Sequence, residues 1–147
     1  MSSFKLHKWF NYIFLILVPF LFLKVNFGVF LLMLFYAIGV YVGTNWITPD
    51  LDIVSTPTNK HGFIWKLFWT PYRWTHKHQG VSHTFKGTLE RVLYISPIFL
   101  IIFALSGWSK LVLIISAGIV FGIIVANIAH VTLDKIVISI RGELKRA

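Results

Sequence analysis

The chain has 147 residues, a formal net charge of +9 and no cysteine, and 56% of its residues are hydrophobic while only 13% are charged. A soluble domain carries about 25% charged residues, so this composition indicates a membrane protein and excludes a disordered chain. The absence of cysteine also excludes a disulfide scaffold, a cysteine-ligated zinc finger and a thiol nucleophile.

Four apolar stretches are candidates to cross a bilayer, whose core needs about 20 apolar residues per helix. They cover residues 9–25, 27–46, 92–107 and 111–130. The connections after the first and the third stretch are very short, so we predict two tight helical hairpins. Gly118 and Gly122 form a G-x-x-x-G pattern in the fourth stretch, a weak indication of close helix packing. We therefore predict an all-α integral membrane protein in which residues 1–147 form one domain with four transmembrane helices.

The distribution of basic residues predicts the orientation of these helices. Twelve of the 14 Lys and Arg residues precede the first stretch, lie between the second and third, or follow the fourth. Because basic loops stay in the cytoplasm, we expect both termini and the central segment on the cytoplasmic side of the inner cell membrane. Membrane lipid with anionic headgroups is the natural partner of this charge. Insertion explains most of the basic excess and weakens the alternative of a nucleic-acid-binding protein.

The central segment, residues 47–90, is long for a loop, and loops of this length are usually functional. Residues 61–74, HGFIWKLFWTPYRW, combine many aromatic side chains with two basic ones. This pattern predicts an amphipathic aromatic helix in the membrane interface, with Trp65, Trp69 and Trp74 at the level of the headgroups.

Polar side chains gather on the predicted cytoplasmic face. All the His and Asp residues fall there: His7, His61, His76, His78, His83, His130, Asp50, Asp52 and Asp134. The predicted hairpins bring these distant positions to one membrane surface. This convergence is the most informative feature of the sequence.

Two carboxylates follow the second apolar stretch. Asp50 and Asp52 alternate, so in an extended segment both point to the same side. Neighbouring carboxylates repel unless a cation or a proton lies between them. The alternative is a Pro-Asp turn that merely ends the helix.

Two further motifs carry imidazoles. Gly80 lies between His78 and His83 and permits a bend that turns both rings inward, although these residues are equally explained as solvated loop histidines. His130 and Asp134 stand four residues apart and share one helix face. Their alternative is a pair that caps the helix where it leaves the bilayer.

Together these residues predict a metal site. A His and Asp cluster without Cys suits zinc, manganese or iron, and such a metal acidifies water and polarises a phosphoryl or carbonyl oxygen. Asp50 or Asp52, where not used as a ligand, can act as the catalytic general base. Lys77, Lys86 and Arg91 are candidates to bind an anionic substrate, with Arg91 equally explained as a membrane-topology anchor.

The order of these motifs resembles that of a known group of proteins. Along the chain they are His7, TPDLD at 48–52, HQGVSH at 78–83 and HVTLD at 130–134. This order resembles families of predicted metal-binding membrane proteins of bacteria and archaea, and it is similar to that of the YdjM-like membrane-bound, metal-dependent hydrolases. Trp69-Thr70-Pro71-Tyr72 fits the former group best.

The resemblance implies an all-helical membrane protein with a metal site and an inferred hydrolase activity. It also implies a remote similarity to zinc-dependent phospholipase C. The implied metal ligands are His7, Asp50, Asp52, His78, His83, His130 and Asp134. These families often have Arg where this chain has Gln79, so the resemblance speaks more for metal ligation than for a phosphoester substrate.

The leading hypothesis is therefore a metal-dependent hydrolase at the cytoplasmic face, with zinc first among the metals and phosphoesters or lipid headgroups as substrates. The runner-up is a non-catalytic metal-binding or structural membrane protein. A transporter is disfavoured, because the first three predicted helices carry no ionisable residue in mid-membrane.

Overall fold

The computed structural model describes residues 4–20, 26–52, 62–75 and 83–144, and within these residues the chain is helical and has no strand. Its helices are α1 (Phe4–Phe20), α2 (Phe27–Asn45), a short 3-10 helix (Pro49–Asp52), α3 (Gly62–Thr75), α4 (Phe85–Leu105) and α5 (Lys110–Leu144). The predicted all-α class is confirmed.

Three of the described helices are long and apolar enough to cross a membrane. They are Phe27–Asn45, Phe85–Leu105 and Lys110–Ile140. The first predicted span is represented by a shorter apolar helix, Lys8–Leu17, which is part of α1. The structure thus indicates a membrane protein, while the count of four spans and the arrangement in two hairpins are not confirmed.

The two C-terminal helices extend beyond their predicted bounds. α4 begins at Phe85, seven residues before the predicted start, because the side chain of Thr84 caps the helix by accepting a hydrogen bond from the Gly87 N–H at 3.1 Å. α5 continues past residue 130 to Leu144. Hydropathy shows where a run of apolar residues ends. A helix can continue into polar residues beyond that point, as α5 does here. The alternative that His130 and Asp134 cap a helix end is therefore wrong.

The centre of the fold is the contact between α2 and α5, where each helix contributes a G-x-x-x-G pattern. The four glycines are Gly39, Gly43, Gly118 and Gly122. A Cβ atom at Gly122 would collide with the carbonyl oxygen of Tyr36 and lie 2.6 Å from the backbone nitrogen of Val40. A Cβ atom at Gly39 would likewise collide with the backbone of Ile119. The two backbones approach this closely only because these positions lack side chains.

The N-terminal helix α1 packs against both members of this pair. Asn11, which is buried in α1, donates a hydrogen bond from Nδ2 to Oγ1 of Thr44 at 3.1 Å. Tyr36 donates from its hydroxyl to the carbonyl oxygen of Phe14 at 3.3 Å. These polar contacts join α1 to α2.

The aromatic helix α3 is partly buried in the protein. Trp69 has no exposed surface and packs edge-on against Tyr72, which is also buried. Trp74, by contrast, is 83% exposed. Trp69 is therefore packed inside the protein and does not face headgroups, because residues 65, 69 and 72 share one helix face and that face turns inward. The level of the three tryptophans relative to the membrane stays a prediction. The exposed apolar side chains of α3 include Phe63, Ile64 and Leu67.

Candidate metal site

Three side chains from three separate segments converge at one end of the α2–α5 pair. Asp50 lies in the 3-10 helix after α2, His83 lies two residues before α4, and His130 lies in α5. Each offers one possible ligand atom, and these atoms all lie within 4.8 Å of one another. His83 Nε2 is 3.7 Å from Asp50 Oδ1, and His130 Nε2 is 3.8 Å from Asp50 Oδ2.

These separations fit a small divalent cation. With zinc–ligand distances of about 2.0–2.2 Å, neighbouring ligand atoms of a four-coordinate ion lie about 3.4 Å apart. The two distances from the histidines to Asp50 exceed this value by a few tenths of an ångström, and the group as a whole lies within 4.8 Å. Rotations of the three side chains would be needed to bring them onto one ion. Two imidazole nitrogens and one carboxylate oxygen are also a chemically suitable donor set for zinc and similar metals.

The segment that carries Asp50 is held by its neighbours. Thr48 and Leu51 are buried, and the Thr48 Oγ1 accepts a hydrogen bond from the Asp50 N–H at 3.2 Å. The segment is a 3-10 helix and not the extended strand that the sequence suggested. Alternate residues of such a helix do not point to the same side. The extended geometry on which the prediction for Asp52 rested is therefore not found. The side chain of Asp52 lies outside the described residues, so whether it faces the site stays a prediction.

Asp134 lies beside the two histidines. Its Oδ2 is 2.9 Å from His83 Nδ1 and 3.5 Å from His130 Nε2. The side chain of His130 is 5% exposed, that of His83 is 15%, that of Asp50 is 18% and that of Asp134 is 22%. The cluster is thus anchored in the protein by His130 and open to water on the side of the carboxylates.

The remaining predicted site residues are not tested by this structure. The side chains of His7 and Asp52, and the whole of His61, His76, Lys77 and His78, lie outside the described residues. Lys86 is described: its side chain is 75% exposed, and its Nζ lies 3.9 Å from Glu90 Oε1. The roles predicted for these residues stay predictions.

Arg91 lies inside the protein. Its side chain has no exposed surface, and its guanidinium donates hydrogen bonds to Asn127 Oδ1 at 2.9 Å, to the hydroxyl of Tyr72 at 3.2 Å and to Thr88 Oγ1 at 3.3 Å. Asn127 in turn donates from Nδ2 to the carbonyl oxygen of Ile47 at 2.8 Å. This network, hereafter the Arg91 network, connects α3, α4, α5 and the chain after α2.

The Arg91 network borders the segments that carry the candidate ligands. Ile47 precedes Asp50 by three residues, and Asn127 precedes His130 by three. Because the guanidinium of Arg91 is buried and hydrogen-bonded within the protein, it is better suited to hold these segments in place than to bind a substrate anion. Sequence reasoning missed this connection. In the sequence Arg91 lies just before the apolar stretch 92–107. Only the earlier start of α4 at Phe85 places it inside a membrane-spanning helix, where an ionisable group is costly and must find internal partners.

The fold and the site together define a helical membrane protein with a histidine and aspartate site of the metal-binding type. The model of the family described as "Uncharacterized metal-binding protein (DUF2227)" matches residues 2–120, and the chain belongs to this family. The matched region contains Asp50 and His83 and ends before His130, so α5 contributes part of the site from beyond it.

A curated relative provides a second comparison. An uncharacterised protein of Aquifex aeolicus (strain VF5) is 36% identical to the chain over 62 residues, which are 41% of this chain and 43% of the relative. The chain therefore spans less than half the length of that relative. No solved structure matches the chain. Metal binding is supported by the family, whereas these comparisons give no support to the resemblance to the YdjM-like hydrolases.

Proposed function

We propose that the chain is a metal-dependent hydrolase at the cytoplasmic face of the inner cell membrane, with Asp50, His83 and His130 as ligands of one divalent cation. The observation that carries this proposal is the convergence of their ligand atoms within 4.8 Å. The three residues come from segments far apart in the sequence, and membership of a metal-binding family independently supports the same role.

The number of ligands and their exposure favour a catalytic site. Structural zinc sites are closed by four protein ligands, whereas catalytic sites have three and leave one position open. Among the described side chains, those of Asp50, His83 and His130 bring their ligand atoms together, and those of Asp50 and His83 are partly exposed to water. A divalent cation held there would acidify a water molecule and polarise a phosphoryl or carbonyl oxygen. Zinc is the first candidate for this donor set, with manganese and iron as alternatives.

Phosphoesters, including lipid headgroups, are the proposed substrate class. The site lies where α2 ends and α4 begins, two helices long enough to span a bilayer, and beside His130 within the third such helix. The chain also carries a net charge of +9 that favours anionic substrates. Lys86, exposed and three residues after His83, is the described cation best placed to meet such a substrate. If Asp50 is a ligand, Asp52 is the remaining candidate for the general base.

A non-catalytic metal site is the second candidate function, and Asp134 is the observation that favours it. Its Oδ2 lies 3.5 Å from His130 Nε2. Were it a fourth ligand, the site would be closed as in structural zinc sites. The two functions therefore differ in whether the bound metal supports turnover.

The experiment combines metal analysis with a substrate screen. The protein is purified in detergent, reconstituted with zinc, manganese or iron, and analysed by elemental mass spectrometry beside His130→Ala. Glu90→Gln is the control, because it removes a charged carboxylate that lies outside the cluster. We expect near-stoichiometric metal in the wild type and in Glu90→Gln, and loss of metal in His130→Ala.

The substrate screen then separates the two functions. Wild-type protein is assayed on phosphomonoesters, phosphodiesters and phospholipids in the presence and absence of a chelator. Chelator-sensitive turnover supports the hydrolase, and bound metal without turnover on any of them supports the non-catalytic site. If the reconstituted wild type binds none of the three metals, both functions are wrong.

A further inference from the structure

The structure assigns Asp134 a positioning role: it holds the proton on His83 Nδ1 and thereby turns the Nε2 lone pair of His83 towards Asp50. Asp134 is then not itself a metal ligand. This inference rests on the metal site proposed above and adds to it the identity of the ligating nitrogen of His83.

The two ring nitrogens of His83 have different neighbours. Nδ1 lies 2.9 Å from Asp134 Oδ2, which is the length of a strong hydrogen bond. Nε2 lies 3.7 Å from Asp50 Oδ1, which is too long for a hydrogen bond but suits two ligands of a shared cation. A neutral imidazole has one N–H donor and one acceptor nitrogen. A carboxylate acceptor at Nδ1 therefore leaves Nε2 as the nitrogen that binds a metal.

The contacts of Asp134 favour positioning over ligation. The shortest approach of Asp134 Oδ2, 2.9 Å, is to His83 Nδ1. Its 3.5 Å separation from His130 Nε2 would by itself also suit two ligands of one cation, so the geometry at His83 decides between the two roles. The two nitrogens of an imidazole point in divergent directions, so an oxygen bonded to Nδ1 of His83 lies away from a cation bound at Nε2. Among the described side chains, the group whose ligand atoms converge consists of Asp50, His83 and His130.

A neighbouring contact holds the two segments together without any metal. The Nζ atom of Lys135 lies 4.7 Å from the centre of the Phe85 ring, a cation–π contact. Lys135 directly follows Asp134, and Phe85 lies two residues after His83. The pairing of Asp134 with His83 is therefore part of the fold and should be present in the metal-free protein.

The first test uses metal-free protein. Nitrogen NMR on isotope-labelled histidine reports which ring nitrogen carries the proton, and a His83→Gln variant assigns the His83 signal. At a pH at which this imidazole is neutral, we expect the proton on Nδ1 in the wild type, and loss of this preference in Asp134→Ala. A proton on Nε2 in the wild type would overturn the inference.

The second test measures zinc affinity. Loss of a residue that orients a metal-binding histidine typically weakens binding about 10–100-fold, so we expect this loss in Asp134→Ala and complete loss of stoichiometric zinc in His83→Ala. Ile138→Ala is the control, because Ile138 is 70% exposed one turn further along α5. Zinc loss in Asp134→Ala as complete as in His83→Ala would identify Asp134 as a ligand and overturn the inference.

The two tests also separate this inference from the proposed function. If wild-type protein binds no metal, the metal site is wrong, and the proton position in the metal-free protein still decides whether Asp134 positions His83. If the metal binds but the proton lies on Nε2, the site stands and the positioning role is wrong.

Discussion

The contact between α2 and α5 and the polar cluster at its end are built in opposite ways. In the helix contact, the carbonyl oxygen of Tyr36 meets the backbone at Gly122 with no side chain between them. In the cluster, the side chains of Asp50, His83 and His130 bring their ligand atoms within 4.8 Å of one another. The helix contact depends on glycines, which have no side chain, whereas the cluster is formed by side chains.

This difference predicts how each region responds to substitution. Close backbone packing cannot relax by rotating a side chain, so even one added carbon atom must move a helix. In the cluster, the side chains of Asp50 and His83 are partly open to water, whereas that of His130 is buried. We therefore expect substitutions in the helix contact to change stability and substitutions in the cluster to change metal binding.

The largest expected loss of stability is that caused by Gly122→Ala, which would disrupt the contact between α2 and α5. The added Cβ collides with backbone atoms of Tyr36 and Val40, so we expect destabilisation at or above the upper end of the about 1–3 kcal/mol typical of overpacking. Thermal unfolding in detergent, followed by circular dichroism and by size-exclusion chromatography, measures it.

Gly28→Ala is the matched control for this substitution. Gly28 lies in α2, and its nearest contact for an added Cβ is Asn26 Oδ1 at an ordinary 3.5 Å. We expect no loss of stability there. Equal unfolding temperatures for the two variants would contradict the close approach of α2 and α5.

An intermediate loss of stability is expected for Arg91→Met, because this substitution removes the guanidinium at the centre of the Arg91 network. The substitution leaves Asn127 Oδ1 buried without its donor, and an unsatisfied buried polar group costs about 1–3 kcal/mol. Because the network borders both site segments, we also expect weaker zinc binding, measured by titration of the folded variant.

Arg73→Met is the control for Arg91→Met. The Arg73 guanidinium bonds to Lys66 O and Thr70 within its own helix, so its loss should affect neither stability nor zinc binding to a comparable degree. Unchanged zinc affinity in Arg91→Met would show that the network stabilises the fold without positioning the site.

The smallest effect on stability is expected for Lys86→Ala. Exposed ion pairs between residues four apart contribute about 0.3–0.5 kcal/mol, so the unfolding temperature should hardly change. If Lys86 binds the anionic substrate, KM should rise while kcat stays the same. Lys110→Ala, in α5 at the start of the chain's last span, is the control. An unchanged KM in Lys86→Ala would remove Lys86 from the proposed substrate site.

The site could be predicted from the sequence to a considerable extent. The idea that Asp50, His83 and His130 converge came from the order of apolar stretches and from the restriction of His and Asp to one predicted face. The structure brings these three side chains together. The prediction worked for Asp50 and His83 because they lie next to the ends of helices of membrane-spanning length, and such ends lie at only a few levels. His130 joins them from within α5, which continues past it.

Other features depended on contacts that hydropathy does not encode. The inward position of Trp69 follows from the packing of α3 against the protein, since an aromatic-rich helix is apolar enough for either lipid or protein. The role of Arg91 follows from partners on two other helices, Tyr72 and Asn127, which are 19 and 36 residues away in the sequence.

The sequence by itself determined the helical class, the presence of apolar helices able to cross a membrane and the set of residues able to bind a metal, because these depend on composition and on the spacing of side chains along one helix. The tertiary structure alone decided which residues meet. It selected Asp50, His83 and His130 as the converging group, placed Asp134 against Nδ1 of His83 and buried Arg91. The physical reason is that these contacts join residues distant in the sequence, whose distances are set by how closely the helix backbones approach.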